Sequence, residues 1–274
     1  VYKRHVYQAL YAHIVGACNI ALGTNAMVVN TTGGNNVAIG MNTLDANTTG
    51  NYNTAIGGQA LTESTTASEN VAIGYQCMDS ATTANNCVGV GMKALDDLTT
   101  GVGNVAIGRY ALADITDGTG CTAVGAYDGA AQPALRVNTG SKNTAVGSGA
   151  LSGNTTASFN SAVGYMALNA NTTGQLNNAL GYQALVTNTT GHQNTAVGHQ
   201  ALYANTTADN NTAVGYDAMN DNTTGTYNTA LGAYALDTNT TGSYNTAFEY
   251  HALGDITTAS YCTAMGYDAL ANTT

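Results

Sequence analysis

The chain has 274 residues, of which 8% are charged, with no Trp, two Phe and one Pro, so it cannot build a large aromatic core. Its 44% hydrophobic content, mostly Ala, Val, Ile and Leu, equally excludes the polar, highly charged composition of a disordered segment. A net charge of −10 with only six Lys or Arg removes the basic footprint that nucleic acid requires and disfavours anionic lipid.

The opening stretch, VYKRHVYQALYAHIV, shows neither an initiator Met nor a clean signal-peptide pattern, and no run approaches the roughly 18 apolar residues of a membrane span. The expectation is a piece of a longer chain, with no membrane insertion in this segment. From there one unit repeats. The Gly that closes each small aliphatic triplet falls at Gly23, Gly40, Gly57, Gly74, Gly91, Gly108 and Gly125, then at Gly147, Gly164, Gly181, Gly198, Gly215, Gly232 and Gly266, on a grid of 17. Val6 and Glu249 occupy grid positions with another residue, which brings the expected number of coils to 16. One interval, Gly125 to Gly147, is 22, and reading ALRVNTG at 134–140 as a shortened repeat places an inserted loop at about 126–133, beside Pro133.

A 17-residue period is too short for a helical hairpin or a propeller blade, and no 3.6-residue apolar stripe accompanies it. It fits one coil of an all-β parallel β-solenoid. The consensus NTAVGYQALxxNTTGxx predicts a short strand in which Val71 and Ile73 face inward and Ala72 outward. Gly then bends the chain, QAL predicts a second short strand ending on Leu, and NTTG supplies turn chemistry. The Leu column runs Leu10, Met27, Leu44, Leu61, Met78, Leu95, Leu112, Leu135, Leu151, Leu168, Leu185, Leu202, Met219, Leu236, Leu253 and Leu270, apolar throughout, and reads as core. Stacked at about 4.8 Å, such coils predict a single repeat rod over 1–274, of order 75 Å long. Ala holds the centre of every complete triplet except at Gly89, a constancy that points to a face packed against another chain.

NVAIG at 36–40, 70–74 and 104–108, with NTAVG variants later, resembles the head repeat of trimeric autotransporter adhesins, and the fuller GYQAL..NTTG..NTA[IV]G unit is similar to repeats in tail-fibre and surface-fibre proteins of phages and bacteria. The resemblance covers essentially the whole chain. It implies left-handed coils, a trimer or filament of identical chains, and an extracellular, cell-surface or virion location. The 17-residue coil is longer than the usual adhesin head repeat, and Thr replaces the first aliphatic of the triplet in later coils.

Candidate chemistry is sparse. Asp45, Glu63, Asp79, Asp96, Asp97 and Asp114 all follow the Leu column by one or two residues, forming an acidic corner. Carboxylates on adjacent coils, about 5 Å apart, have the spacing of a retaining glycosidase pair or a shared divalent cation, but a solvated edge that keeps the coils soluble is the favoured reading. Neither a cleft nor an aromatic platform is evident beside it. The five Cys have no metal-ligand spacing, and Cys87 and Cys121, two coils apart, exceed disulfide reach. The expectation is no catalytic residue, no cofactor and no enzyme. Asn30, Asn47, Asn154, Asn171, Asn188, Asn205, Asn222 and Asn239 each begin an N-x-T sequon in one column, where a side-chain turn ladder is favoured over glycosylation. The functional expectation is an extracellular structural or adhesive fibre shaft that associates with itself and touches a host or cell-surface glycan or protein. The alternative is an ice-binding solenoid using Thr pairs such as Thr48 with Thr49 and Thr172 with Thr173. One Thr of each pair bonded inward would favour the fibre.

Overall fold

The computed structural model describes residues 8–12 and 15–271. They form 15 three-residue strands and no helix, spaced 17 residues apart except for the 22 between β7 and β8. The Val6 grid position lies outside the described residues. Contacts divide the chain into two compact units, residues 1–127 with 136–141 and residues 128–135 with 142–274.

The first unit holds β1 (Ile20–Leu22), β2 (Val37–Ile39), β3 (Thr54–Ile56), β4 (Val71–Ile73), β5 (Val88–Val90), β6 (Val105–Ile107) and β7 (Thr122–Val124). Each pairs in parallel with the next and without slippage, so that Ala38 meets Ala55 and Ala55 meets Ala72. The second unit holds β8 (Thr144–Val146), β9 (Ser161–Val163), β10 (Asn178–Leu180), β11 (Thr195–Val197), β12 (Thr212–Val214), β13 (Thr229–Leu231), β14 (Thr246–Phe248) and β15 (Thr263–Met265), paired the same way. Both units are parallel β-solenoids with one sequence repeat per coil. At the 22-residue interval Ala126 to Ala130 are exposed, and Asp128 Oδ1 accepts from the amides of Ala130 and Ala131 to close a tight turn.

The strand faces are the reverse of the sequence expectation. Ala72 is fully buried, whereas Ile73 is 38% exposed, and Ala occupies the inner file of every strand except β5. The reason is room. The corner segment lies so close to the strand that a Cβ added to Gly89 would sit 2.6 Å from Cys77 Sγ and 3.2 Å from Met78 Cγ. At that coil Cys77 fills the space an inner methyl takes elsewhere; in the other coils the inner file holds an Ala methyl against the Leu column, and the larger aliphatic residues face out although transfer energy alone would put them in.

The Leu column is core from Met27 to Leu253, with Leu44, Leu61, Leu185 and Leu202 all fully buried, whereas Leu10 is only half-buried and Leu270 is 51% exposed. The expected second strand at QAL is absent. Gln59 and Leu61 take φ of 60° and 52°, and the same alternation of left-handed residues recurs in the other coils. A left-handed non-Gly residue costs about 1–2 kcal/mol, but burying a Leu contributes about 1.5–3 kcal/mol. The conformation also aims alternate amides in opposite directions. Gln59 N–H donates to Met41 O in the preceding coil and Leu61 N–H to Cys77 O in the following one. The Gly before this corner is required twice over: Gly57 has φ +130°, and a Cβ there would lie 2.5 Å from Gly74 O.

Candidate functional site

The acidic corner lies on the first unit, where two of its six carboxylates form separate ion pairs. Asp96 pairs with Lys93 at 2.9 Å and Asp114 with Arg136 at 3.3 Å. Burial pushes the Asp45 carboxyl up, with Asp79 adding repulsion, and burial likewise raises Asp97 beside Asp96 and Asp114. Glu63 is exposed, and Asp79 Oδ1 is buried without a hydrogen bond. Among the described residues no three of His, Cys, Asp and Glu are grouped to hold a metal ion.

The sequon column is interior. Asn30, Asn47, Asn154, Asn171, Asn188, Asn205, Asn222 and Asn239 are all fully buried. Asn188 shows the pattern: its Nδ2 donates to Asn171 Oδ1 at 2.9 Å and to Gly191 O at 3.1 Å, and its Oδ1 accepts from Asn205 Nδ2 at 2.8 Å. These amides are structural rungs, inaccessible to glycan transfer in the folded coil. A second Asn file, which the sequence reading did not single out, precedes each strand. Asn194 N–H donates to Asn177 Oδ1 at 2.9 Å and Asn194 Nδ2 to Ala208 O at 2.8 Å. Cys87, Cys121 and Cys262 are substitutes in this file, and the Cys87 and Cys121 thiols reach the Gly101 and Gly140 carbonyls that an amide would otherwise take. All described Cys are free. Burial pushes the Cys77 thiol up to about 12, which leaves it an inert thiol at neutral pH.

In the Thr pairs before Thr257 the first hydroxyl donates to the backbone carbonyl of the equivalent Thr one coil on, as Thr48 Oγ1 to Thr65 O at 3.0 Å and Thr172 Oγ1 to Thr189 O at 3.0 Å. The second, such as Thr49 or Thr173, is exposed. Gln193 and Tyr244 stand exposed on the neighbouring turn, and Asp209 is half-buried there.

The second unit carries a feature that sequence reasoning missed, an aromatic file at the position after the triplet Gly. Tyr165 stacks on Tyr182 at 5.6 Å, Tyr182 on His199 at 5.2 Å, His199 on Tyr216 at 4.7 Å and Tyr250 on Tyr267 at 5.1 Å, all within 12° of parallel. In-register coils bring like side chains together at this spacing. The signal was available as GYM, GYQ, GHQ and GYD in successive repeats. One coil breaks the file, because Ala233 stands at the ring position and Tyr234, the next residue, fills the gap at 59° to Tyr216 and 75° to Tyr250. A shorter stack joins Tyr227, Tyr244 and Tyr261, with centroids 5.1 Å apart.

Where the file breaks, Tyr234 joins Gln200, Asp217, Asn220, Asp221 and Asp237 around a cleft of about 220 Å³. Asp217 Oδ1 lies 3.2 Å from His199 Nδ1, Gln200 Nε2 donates to Gln183 Oε1 at 3.0 Å, and Asn220 Nδ2 reaches Gln200 O at 3.3 Å. Burial raises the Asp237 carboxyl, with His251 opposing the shift. Cleft and aromatic wall thus occur together, on the opposite unit from the acids that the repeat pattern had picked out. Comparison with protein-family models and with curated proteins finds no match to this chain.

Proposed function

We propose that this chain is a length of extracellular structural or adhesive fibre, a non-catalytic shaft whose copies associate with one another. The observation that carries the reading is the outer file of the strands. With Ala inside, each strand presents two side chains outward, and Ile56, Ile73 and Ile107 of the first unit are 36%, 38% and 42% exposed, as are Leu180 and Leu231 of the second at 51% and 44%. A regular aliphatic stripe left in water marks an association surface. The polar groups of each coil, by contrast, are largely occupied by the coils beside it. Such a surface repeats with the coil and suits a partner with the same repeat, which is a second copy of the chain. The extracellular or virion setting rests on the resemblance of the NVAIG and GYQAL repeats to fibre proteins, and a host or cell-surface glycan or protein as ligand belongs to the same reading. Sedimentation equilibrium of the chain and of Ile56→Lys/Ile73→Lys/Ile107→Lys tests it. The parent should sediment as an oligomer and the variant as single chains with unchanged circular dichroism. A parent that is monomeric at about 100 μM, well above the Kd of a standard interface, would overturn the association.

Ice binding keeps one observation in its favour, the outward Thr195, Thr212, Thr229 and Thr246 of adjacent strands. The file beside them carries Leu231, Phe248 and Met265, whose sizes break a flat plane, and at the turn most pairs expose only their second Thr, Thr155 with Thr156 and Thr257 with Thr258 being exposed together. Thermal hysteresis of the purified chain decides between the readings.

A further inference from the structure

We propose that the cleft walled by Tyr234 binds one amine-bearing sugar unit, of the glucosamine type, within an oligosaccharide chain. The proposal goes beyond the fibre reading and does not rest on association of copies. Size sets the first limit: about 220 Å³ lies below the range of sites for drug-sized ligands and suits a single ring. The lining sets the second. Three carboxylates, two side-chain amides and one phenol ring surround the space, with no aliphatic side chain. That inventory matches a ligand with several hydroxyl donors, a cationic group and one apolar flank.

Tyr234 supplies the flank. The other rings of the file stack on one another within 12° of parallel, whereas Tyr234 stands at 59° and 75° to its neighbours, out of the stack. A pyranose C–H face or an ammonium group can lie against such a ring. Gln200 and Asn220 offer amides for ring hydroxyls. Asp217, Asp221 and Asp237 receive the amine, and their charge has no Lys or Arg to answer it, because residues 143–274 contain none. His199 beside Asp217 and His251 near Asp237 are the titratable bases that face the cleft acids. The same charge rejects uronic and sialic acids, and the residues are not grouped as ligands for a bare metal ion.

Isothermal titration of the full chain with glucosamine hexamer, N-acetylglucosamine hexamer, glucose hexamer and spermine tests the assignment. Saturable binding of the glucosamine hexamer is expected, weakened about ten-fold or more by acetylation, since acetylation removes the charge that the carboxylates answer. Tyr234→Ala and Asp221→Asn should each weaken it by about five-fold or more with unchanged circular dichroism, while Asp209→Asn, outside the cleft, leaves it intact. No saturable binding of the glucosamine hexamer, affinity indifferent to both cleft substitutions, or spermine bound as tightly as the sugar would each overturn the proposal. These outcomes are read whether the chain sediments as one copy or several.

Discussion

Gly89 is the single gap in the inner Ala file because Cys77 has taken its space. The Cys77 sulfur replaces the small residue of QAL, and a Cβ on Gly89 would lie 2.6 Å from it. The two positions are coupled by volume, so Gly89→Ala alone should cost about 1–3 kcal/mol by overpacking, and Cys77→Ala should remove most of that cost. Urea denaturation of the two single variants and the double variant checks this; additive losses would mean that the two side chains do not share one space. A similar local logic ends the buried Asn ladder. Asn239 Oδ1 has no donor, since the next rung is Ile256. Within the ladder, Asn188→Ala removes three side-chain bonds and strands buried partners on both sides, and should cost about 2–4 kcal/mol. Secreted from a glycosylating host, the parent chain should carry no mass on Asn188, as peptide mass spectrometry would show. The acids act through pH. Asp45 holds its proton more tightly folded than unfolded, first because it is partly buried and then because Asp79 is near. Its contribution favours folding below the unfolded value near 3.8 and is lost as pH rises through the raised folded value. Asp45→Asn should therefore melt higher than the parent at pH 7, and the difference should vanish by about pH 3, below both values; a constant difference across that range would rule out the titration of Asp45 as its cause.

At the scale of the coil, the repeat period, the parallel register and the Leu column were legible in the sequence because each depends only on like residues recurring at one interval. Leu185→Asp should accordingly place an unpaired charge between Leu168 and Leu202, all fully buried, at a cost of several kcal/mol. Circular dichroism and thermal melting should report loss of the second unit's fold; unchanged melting would remove the column from the core. The interior of the coil was not legible. Period-two alternation says that Val71 and Ile73 share a face opposite Ala72 but not which face is inside, and ranking by hydrophobicity gives the wrong answer where Ala methyls fill the inner file. The corner misled for a related reason. QAL has the composition of a strand end, yet Gln59 and Leu61 are left-handed, a conformation that neither residue favours and that inter-coil hydrogen bonds and burial of Leu61 stabilise.

Across the whole chain, the acidic balance was legible because charge is a sum over residues, whereas the candidate cleft is a local exception that a consensus averages away. Its wall exists because Ala233 and Tyr234 depart from the Gly-Tyr pattern, and its acids, Asp217, Asp221 and Asp237, belong to three different columns that meet around one cleft. The acidic corner drew attention by regularity, yet only Asp96 and Asp114 of it stand in ion pairs, each with a different cation. Both the proposed association surface and the tightness of the core follow from one claim, that Ala, or Gly in β5, lines the inside of the strands and the larger residues line the outside. Denaturant unfolding of Ala213→Val against Val214→Thr, adjacent residues of β12, tests it most directly. With Ala213 fully buried and Val214 half-buried on the outer file, Ala213→Val should lose about 1–3 kcal/mol and Val214→Thr less than about 1 kcal/mol in the monomeric outer-face variant. The opposite order, with Val214→Thr the more damaging and Ala213→Val neutral, would contradict it.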